Sequence, residues 1–366
     1  MKKILTFILF LPLFLFSFNY TTEWEKIELL DKQQLPKSAL EQVNLIYKQA
    51  KKEENSVQFI RATIYKKNYA TTLKENADSS AISIIEKAIN ETSTVETKLI
   101  LTSLLAESYT DYLDKQYYKI YKRTSVNDNN STDIETWTVK ELVDKATQLY
   151  LTTLRPEGQK TLMTKYQNIL TKGQHVEGLQ PTLYDFLAFR ALKYFKNTKY
   201  TLQKFNEDFH LNSKEAFSPA PIFRNHPFIV SNTLKYNALL IYQKLLIFHK
   251  NSKYPLAHMH VNLQRLSFVK QNINKNEKNT SEKYEKVLKG IVQQNPDSEA
   301  LYDLANFYAQ KREYLKAMPY VEQGINSKND YTKQVSLSLK NTIQTRKLQI
   351  QTEEVALPHE NILAFL

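Results

Sequence analysis

Along most of this chain, apolar residues return every three or four positions. In "LPKSALEQVNLIYKQA", Leu35 to Ala50, the residues Ala39, Val43, Ile46, Tyr47 and Ala50 fall at i, i+4, i+7, i+8 and i+11. That spacing places them on one face of an α-helix. Ser38 and Glu41 have the S-x-x-E spacing of a capping box, and Pro36 stands just before it, where a missing N–H does no harm. After the polar link "KKEEN", the stretch "SVQFIRATIYKKNYA" resumes the stripe with Val57, Ile60 and Ile64. A link this short predicts an antiparallel helical hairpin.

The pattern continues. Ala81, Ile84, Ile85, Ala88 and Ile89 share a stripe. Ser93 and Glu96 have capping-box spacing ahead of a long helix through Leu105, Tyr109 and Tyr112. Thr138 and Glu141 repeat that spacing before the stripe Val139, Leu142, Val143, Ala146, Leu149 and Tyr150. "PTLYDFLAFRALKYF", from Pro181, is apolar nearly all round and predicts a central helix, and "LKYNALLIYQKLLIFHK" and "PLAHMHVNLQRLSFVK" add two more. Small residues such as Ala39, Ala88 and Ala146 let neighbouring helices approach closely. No strand-like alternation of useful length occurs. The expected fold is all-α: antiparallel helix pairs in an α-solenoid, with one array over 20–204 and a second over 231–345.

One repeat can be named. "SEALYDLANFYAQKREYLKAMPYVEQGINSKNDY" spans 298–331. Its Leu301, Leu304, Ala305, Tyr308, Tyr314, Ala317, Val321 and Gly324 match the large and small positions of a tetratricopeptide unit of about 34 residues. Pro319 departs from the pattern and predicts a kink in the second helix. One unit cannot bury its own face, so the preceding "SEKYEKVLKGIVQQNP" helix is expected to stack on it.

Two segments lack periodicity. "SVNDNNST", Ser125 to Thr132, reads as a polar surface loop. Residues 205–230 carry prolines together with Phe217, Phe223 and Phe228. This stretch reads as a crossing segment pinned to the helices by its aromatic rings, and its functional alternative is a partner-binding loop.

Residues 1–19 begin "MKKILTFILFLPLFLFSF", two lysines and then an apolar run, the layout of a secretory signal peptide. The run is shorter than the roughly 20 apolar residues a spanning helix needs. An uncleaved N-terminal anchor is the alternative. No second long apolar run follows, so no membrane span is expected beyond the leader. The expected location is periplasmic or cell-surface. Cysteine is absent, which removes lipid modification of an N-terminal cysteine, disulfides and thiolate chemistry.

Composition narrows the function classes. Only 5 glycines occur, which argues against glycine-rich phosphate or dinucleotide loops. The formal charge of +12 comes from 50 basic and 38 acidic side chains that mix along the helices. A nucleic-acid binder concentrates its cations on one face, so nucleic acid is not an expected partner. His258 and His260 in "AHMH" lie two apart, on different faces of a helix, and no H-x-x-x-H or E-x-x-H occurs. Neither a metal nor a cofactor is expected.

Glu107 in "AESY" resembles the catalytic glutamate of exported helical lytic transglycosylases, but the Gly-Leu-Met-Gln-type stretch expected close behind it is missing. Glu107 therefore reads as an ordinary helix carboxylate. "YTDYLDKQYYKIYKR" holds five of the 23 tyrosines. Their helical spacing reads as seam filling, with an aromatic groove for peptide or glycan as the functional alternative. The candidate interaction residues are Tyr109, Tyr112, Phe217, Phe223, Phe228 and Tyr308.

Several segments in the same order carry a resemblance. They include "EWEKIELLDKQQLPKSALEQVNLIYKQAKKE", "LLAESYTDYLDKQYYKIYKRT", "DIETWTVKELVDKATQLYLTTL", "EAFSPAPIF" and "NPDSEALYDLANFY". Together they are similar to the long N-terminal helical region of large exported bacterial alpha-2-macroglobulin-like proteins. The segment "LQIQTEEVALPHENILAFL", within 346–366, resembles the passage into the first macroglobulin-type β domain.

The resemblance implies the helical front end of a protease-trapping protein whose trap lies in later domains. It also implies a truncated or split gene product, or a stand-alone helical relative. The expected function is non-enzymatic: an exported interaction module for a protein partner or for downstream macroglobulin domains. A periplasmic or surface solute- or glycan-binding repeat protein is the alternative. A peptidoglycan-acting enzyme using Glu107 is a second one.

Overall fold

Two threonines show how the helices begin. Thr138 Oγ1 accepts from the Glu141 amide at 3.3 Å, and the Glu141 carboxylate accepts from the Thr138 amide at 2.7 Å. Thr182 and Asp185 form the same reciprocal pair, at 3.2 and 3.0 Å. Each box satisfies amide donors that have no partner inside the helix. The computed structural model describes residues 18–73, 77–123, 133–170, 178–197, 199, 211, 213–228, 233–273 and 277–345. The leader over 1–17, the Ser125 to Thr132 loop, residues 205–210, 212 and 229–230 of the crossing segment, and the tail 346–366 lie outside the described residues.

The other two expected boxes do not form. Helix α2 (Pro36–Lys52) starts two residues before Ser38, with Leu35 as its N-cap. Proline's fixed φ and absent N–H suit the first helical position, so Pro36 rather than Ser38 sets the start. The long helix α5 (Val95–Tyr121) is capped at Thr94 without a side-chain bond. Ser93 Oγ instead lies 3.3 Å from a Glu54 carboxylate oxygen, and Glu96 accepts from Thr161 at 3.3 Å.

The described residues are helical, with no strand among them and a single isolated β-bridge between Leu162 and Thr182. Contacts divide the chain into two units: 1–170 with 182–202, and 171–181 with 203–366. In the first unit α1 (Tyr20–Lys32), α2, α3 (Ser56–Leu73), α4 (Ala77–Glu91), α5 and α6 (Val139–Thr152) each pack on the next. Helix α7 (Leu183–Phe195) packs on both α5 and α6. It buries Leu183, Leu187, Ala188, Ala191 and Leu192 completely, as its all-round apolar character requires. Helix α5 leaves helical geometry at Gln116.

The second unit begins with two single turns, α8 (Ser213–Ala216) and α9 (Ala220–Phe223). It continues as α10 (Leu234–Phe248), α11 (Pro255–Asn272), α12 (Thr280–Gln294), α13 (Ala300–Gln310), α14 (Tyr314–Ile325) and α15 (Asp330–Gln344), again packed in sequence. This is the all-α succession of helix pairs that the hydrophobic period implies.

Three helix links share one device. Gln34, Glu54 and Arg312 occupy the left-handed region, with φ of 58, 54 and 61°. At each, the next residue's amide bonds back five positions: Leu35 to Leu30 O at 3.0 Å, Asn55 to Ala50 O at 2.9 Å, and Glu313 to Tyr308 O at 2.9 Å. This closure normally uses glycine. Here long polar side chains bear the strain, which is how a chain with 5 glycines builds tight helical hairpins.

In the repeat of α13 and α14, Leu301, Leu304, Ala305, Tyr308, Ala317, Val321 and Gly324 are buried. A Cβ on Gly324 would stand 2.9 Å from Ser336 Cβ of α15, so only glycine allows that approach. Tyr314 differs from the repeat pattern, being 45 % exposed. Helix α14 continues through Pro319 to Ile325. The carbonyl that loses its donor there belongs to Leu315, a residue 93 % exposed, where water can replace it.

Candidate functional site

The aromatic candidates are held inside the helical seams. Tyr109 is buried and stacks on Trp137 at 5.6 Å, with its hydroxyl 3.3 Å from a Glu86 carboxylate oxygen. Tyr112 is buried, and its hydroxyl accepts from Arg123 Nη2 at 3.2 Å. Tyr308 is buried, donates to Glu285 at 2.7 Å and stacks on Tyr320 at 6.0 Å. Burial and these carboxylates raise the Tyr109 and Tyr308 phenols above their ordinary range. By contrast Tyr118 and Tyr121, past the break at Gln116, are 86 % and 62 % exposed. Tyr117 stacks on Tyr121 at 5.8 Å.

In the crossing segment Phe217 and Phe223 are buried, while Phe228 is half-buried against Phe223 at 5.4 Å. What anchors this segment is a residue that no motif or spacing marks. Arg265, in the middle of α11, is only 1 % exposed. It donates to Ala216 O at 2.8 Å and Ser218 O at 3.1 Å, and its guanidinium lies 4.3 Å from the Phe223 ring centre. A planar fork can bridge two carbonyls and stack on a ring at once. Burial lowers its pKa to about 9, which still leaves it charged at neutral pH.

Glu107 is engaged structurally. Arg190 Nη2 donates to it at 2.8 Å, while Arg190 Nε donates to Ser103 at 2.8 Å. Glu107, Asp111 and Asp114 recur at i, i+4 and i+7 along α5 and share a shallow cleft with Arg190 and Lys193. Burial, then the neighbouring Glu107 charge, raises the Asp111 carboxyl.

A second cleft, of about 330 Å³, opens in the second unit. Leu179, Leu256 and Met259 supply an apolar wall, and the α12–α13 loop brings Asp297, Ser298 and Glu299. Ser298 is 8 % exposed, and its Oγ has no hydrogen-bond partner. Glu299 is equally buried, and its carboxylate oxygens lie 2.9 and 3.0 Å from His260 Nδ1. Asp303 stands one helical turn behind Glu299. Asp303 is half-buried, and burial followed by the Glu299 charge pushes its carboxyl up to about 8. Tyr331, at the cleft rim, is raised to about 12, chiefly by burial and then by the same two acids.

No local signal marks this site. His260 and Glu299 are 39 residues apart, and each reads alone as an unremarkable helix residue. The run "NPDSEA" reads as the entry to the tetratricopeptide-like unit, not as part of a cleft. Among the described residues no group of three or more His, Asp or Glu side chains is placed to hold a metal ion. No helix among them is long and apolar enough to cross a membrane. No protein-family profile matches the chain, and no curated protein shows significant similarity to it.

Proposed function

We propose that this chain is a non-enzymatic, exported helical-repeat interaction module, and that it serves as the front end of a macroglobulin-like protease-trapping system of the bacterial cell envelope. The observation that carries this reading is the cleft of the second unit. It is concave and has one apolar wall, and it is built by successive hairpins of a repeat stack, the kind of surface on which solenoids receive partners. The engagement of Glu107 by Arg190 supports a structural role for that carboxylate. The segment resemblance across the chain supports macroglobulin-type domains as the partner. The exposed rings of Tyr118 and Tyr121 favour the second reading, a glycan-binding repeat protein.

The test is calorimetric titration of the purified chain with isolated β-sandwich domains of a bacterial macroglobulin-like protein, alongside an oligosaccharide panel. Saturable binding to a macroglobulin domain with no turnover of cell-wall material is the expected result. Binding to the oligosaccharides alone would replace this reading with the second one. Cell-wall turnover abolished by Glu107→Gln would make the protein an enzyme.

A further inference from the structure

Residues 213–228 keep their backbone bonding to themselves. Among the described residues no backbone–backbone hydrogen bond joins them to the rest of the second unit. Instead Ser218 donates to Glu215 O, Ile222 and Phe223 to Pro219 O, Arg224 to Ala220 O, Asn225 to Ile222 O and His226 to Phe223 O. Side chains close the same loop. Ser218 Oγ donates to Glu215 O at 2.9 Å, Asn225 Nδ2 donates to Pro221 O at 3.0 Å, and His226 Nε2 lies 3.5 Å from Glu215 Oε1. Phe228 packs on Phe223 at 5.4 Å and on His226 at 4.7 Å. A loop whose two ends meet and whose side chains pack on one another is a compact unit in its own right.

The helices hold this unit through side chains. Arg265 of α11 donates to Ala216 O and Ser218 O, and Gln243 of α10 donates to Phe223 O at 2.9 Å and His226 O at 2.7 Å. Phe223 lies against the Arg265 guanidinium, and Phe217 meets the Tyr284 ring of α12 at 5.9 Å. This seam carries an internal cost. Arg265 is buried, none of its ion-pair partners is a carboxylate of the described residues, and its Nε has no hydrogen-bond partner. A buried cation without a counter-charge keeps much of its desolvation penalty, and that penalty is relieved when water reaches it. Opening the seam breaks no backbone ladder, whereas opening α10 or α11 breaks one at every turn.

We propose that residues 213–228 form a strap that opens as one unit while α10 and α11 stay folded. Opening exposes the Arg265 guanidinium, the Gln243 amide and the Tyr284 ring, all of which the closed strap keeps buried. The motion does not depend on what the chain binds.

The chain has no cysteine, so a single introduced thiol reports its own exposure. Ala216→Cys places one in the strap, Ala238→Cys in α10 and Ala257→Cys in α11, and all three alanines are fully buried. Under native conditions the Ala216→Cys thiol should react with a disulfide reagent about 100-fold faster than the other two. Its rate should stay nearly flat in urea below the unfolding transition, while the other two rise steeply, because opening the strap exposes far less surface than unfolding the helices. Hydrogen exchange of the unmodified chain gives a second measurement that needs no substitution. Peptides from 213–228 should exchange about 100-fold faster than peptides from α10 and α11, again with the smaller urea dependence. Equal labelling rates at the three thiols, a strap rate that climbs with urea as steeply as theirs, or exchange of the strap together with α10 and α11 would overturn the proposal.

Discussion

The His260 imidazole and the Glu299 carboxylate meet at 2.9 Å with less than a tenth of either side chain exposed. They fix the first turns of α11 to the head of α13. A buried partner left alone keeps its desolvation cost without its compensating contact. His260→Ala should therefore lower unfolding free energy by about 3 kcal/mol in urea titration. The double change His260→Ala with Glu299→Leu should recover part of that loss, because no charge is then stranded. With Glu299→Leu alone completing the cycle, a double-variant loss equal to the sum of the two single losses would show that the pair is not coupled.

Asp303 gives the pH dependence a definite sign. Its folded-state pKa of about 8 lies above the ordinary value of 3.8, so between those values the folded chain holds a proton that the unfolded chain has lost. The contribution of Asp303 is fully present below pH 3.8 and is lost as pH rises toward 8. Asp303→Asn should flatten the stability profile over that window and raise the thermal midpoint at pH 8 relative to the unmodified chain. Melting curves taken between pH 4 and pH 9 check this.

Arg265 clamps the crossing segment. Arg265→Met keeps the apolar stem but leaves the Ala216 and Ser218 carbonyls without their donor, at an expected cost of about 3 kcal/mol. Arg265→Lys should rescue little, since one ammonium cannot fork to both carbonyls and also stack on Phe223. Trypsin should cut after Lys214 or Arg224 markedly faster in both variants, which limited proteolysis with mass mapping would show.

The helix starts separate real caps from apparent ones. Thr138→Ala and Thr182→Ala each remove a formed capping box and should cost about 1 kcal/mol. Ser38→Ala and Ser93→Ala should lie within about 0.5 kcal/mol of the unmodified chain, because neither serine caps a helix. Denaturant titration of the four variants tests the distinction.

The left-handed residues predict a gain. Gln34→Gly, Glu54→Gly and Arg312→Gly each relieve a side-chain conflict at positive φ and should raise stability by up to about 1 kcal/mol. The same change at Glu41, inside α2, should instead lose about 1 kcal/mol. Midpoints from urea titration give the sign of each effect.

The sequence by itself determined the helices, their all-α class and much of which faces are buried. A period of three to four apolar positions is a local property, and so are the Thr138 box and the large-and-small order of the terminal repeat. Ser38 and Ser93 misled because a capping box is defined by three residues of spacing, while a helix start is also decided by what precedes it: Pro36 at one start, and the contacts of Ser93 with Glu54 and Glu96 with Thr161 at the other. Only the tertiary structure decided the fate of the aromatic residues, burying Tyr109, Tyr112 and Tyr308 and leaving Tyr118 and Tyr121 outside beyond the break at Gln116. It alone also paired His260 with Glu299, set Arg265 under the crossing segment and left Ser298 unpartnered in a cleft. Each of these joins residues distant along the chain, and such pairs are fixed by the stacking of whole helices, which no local period records.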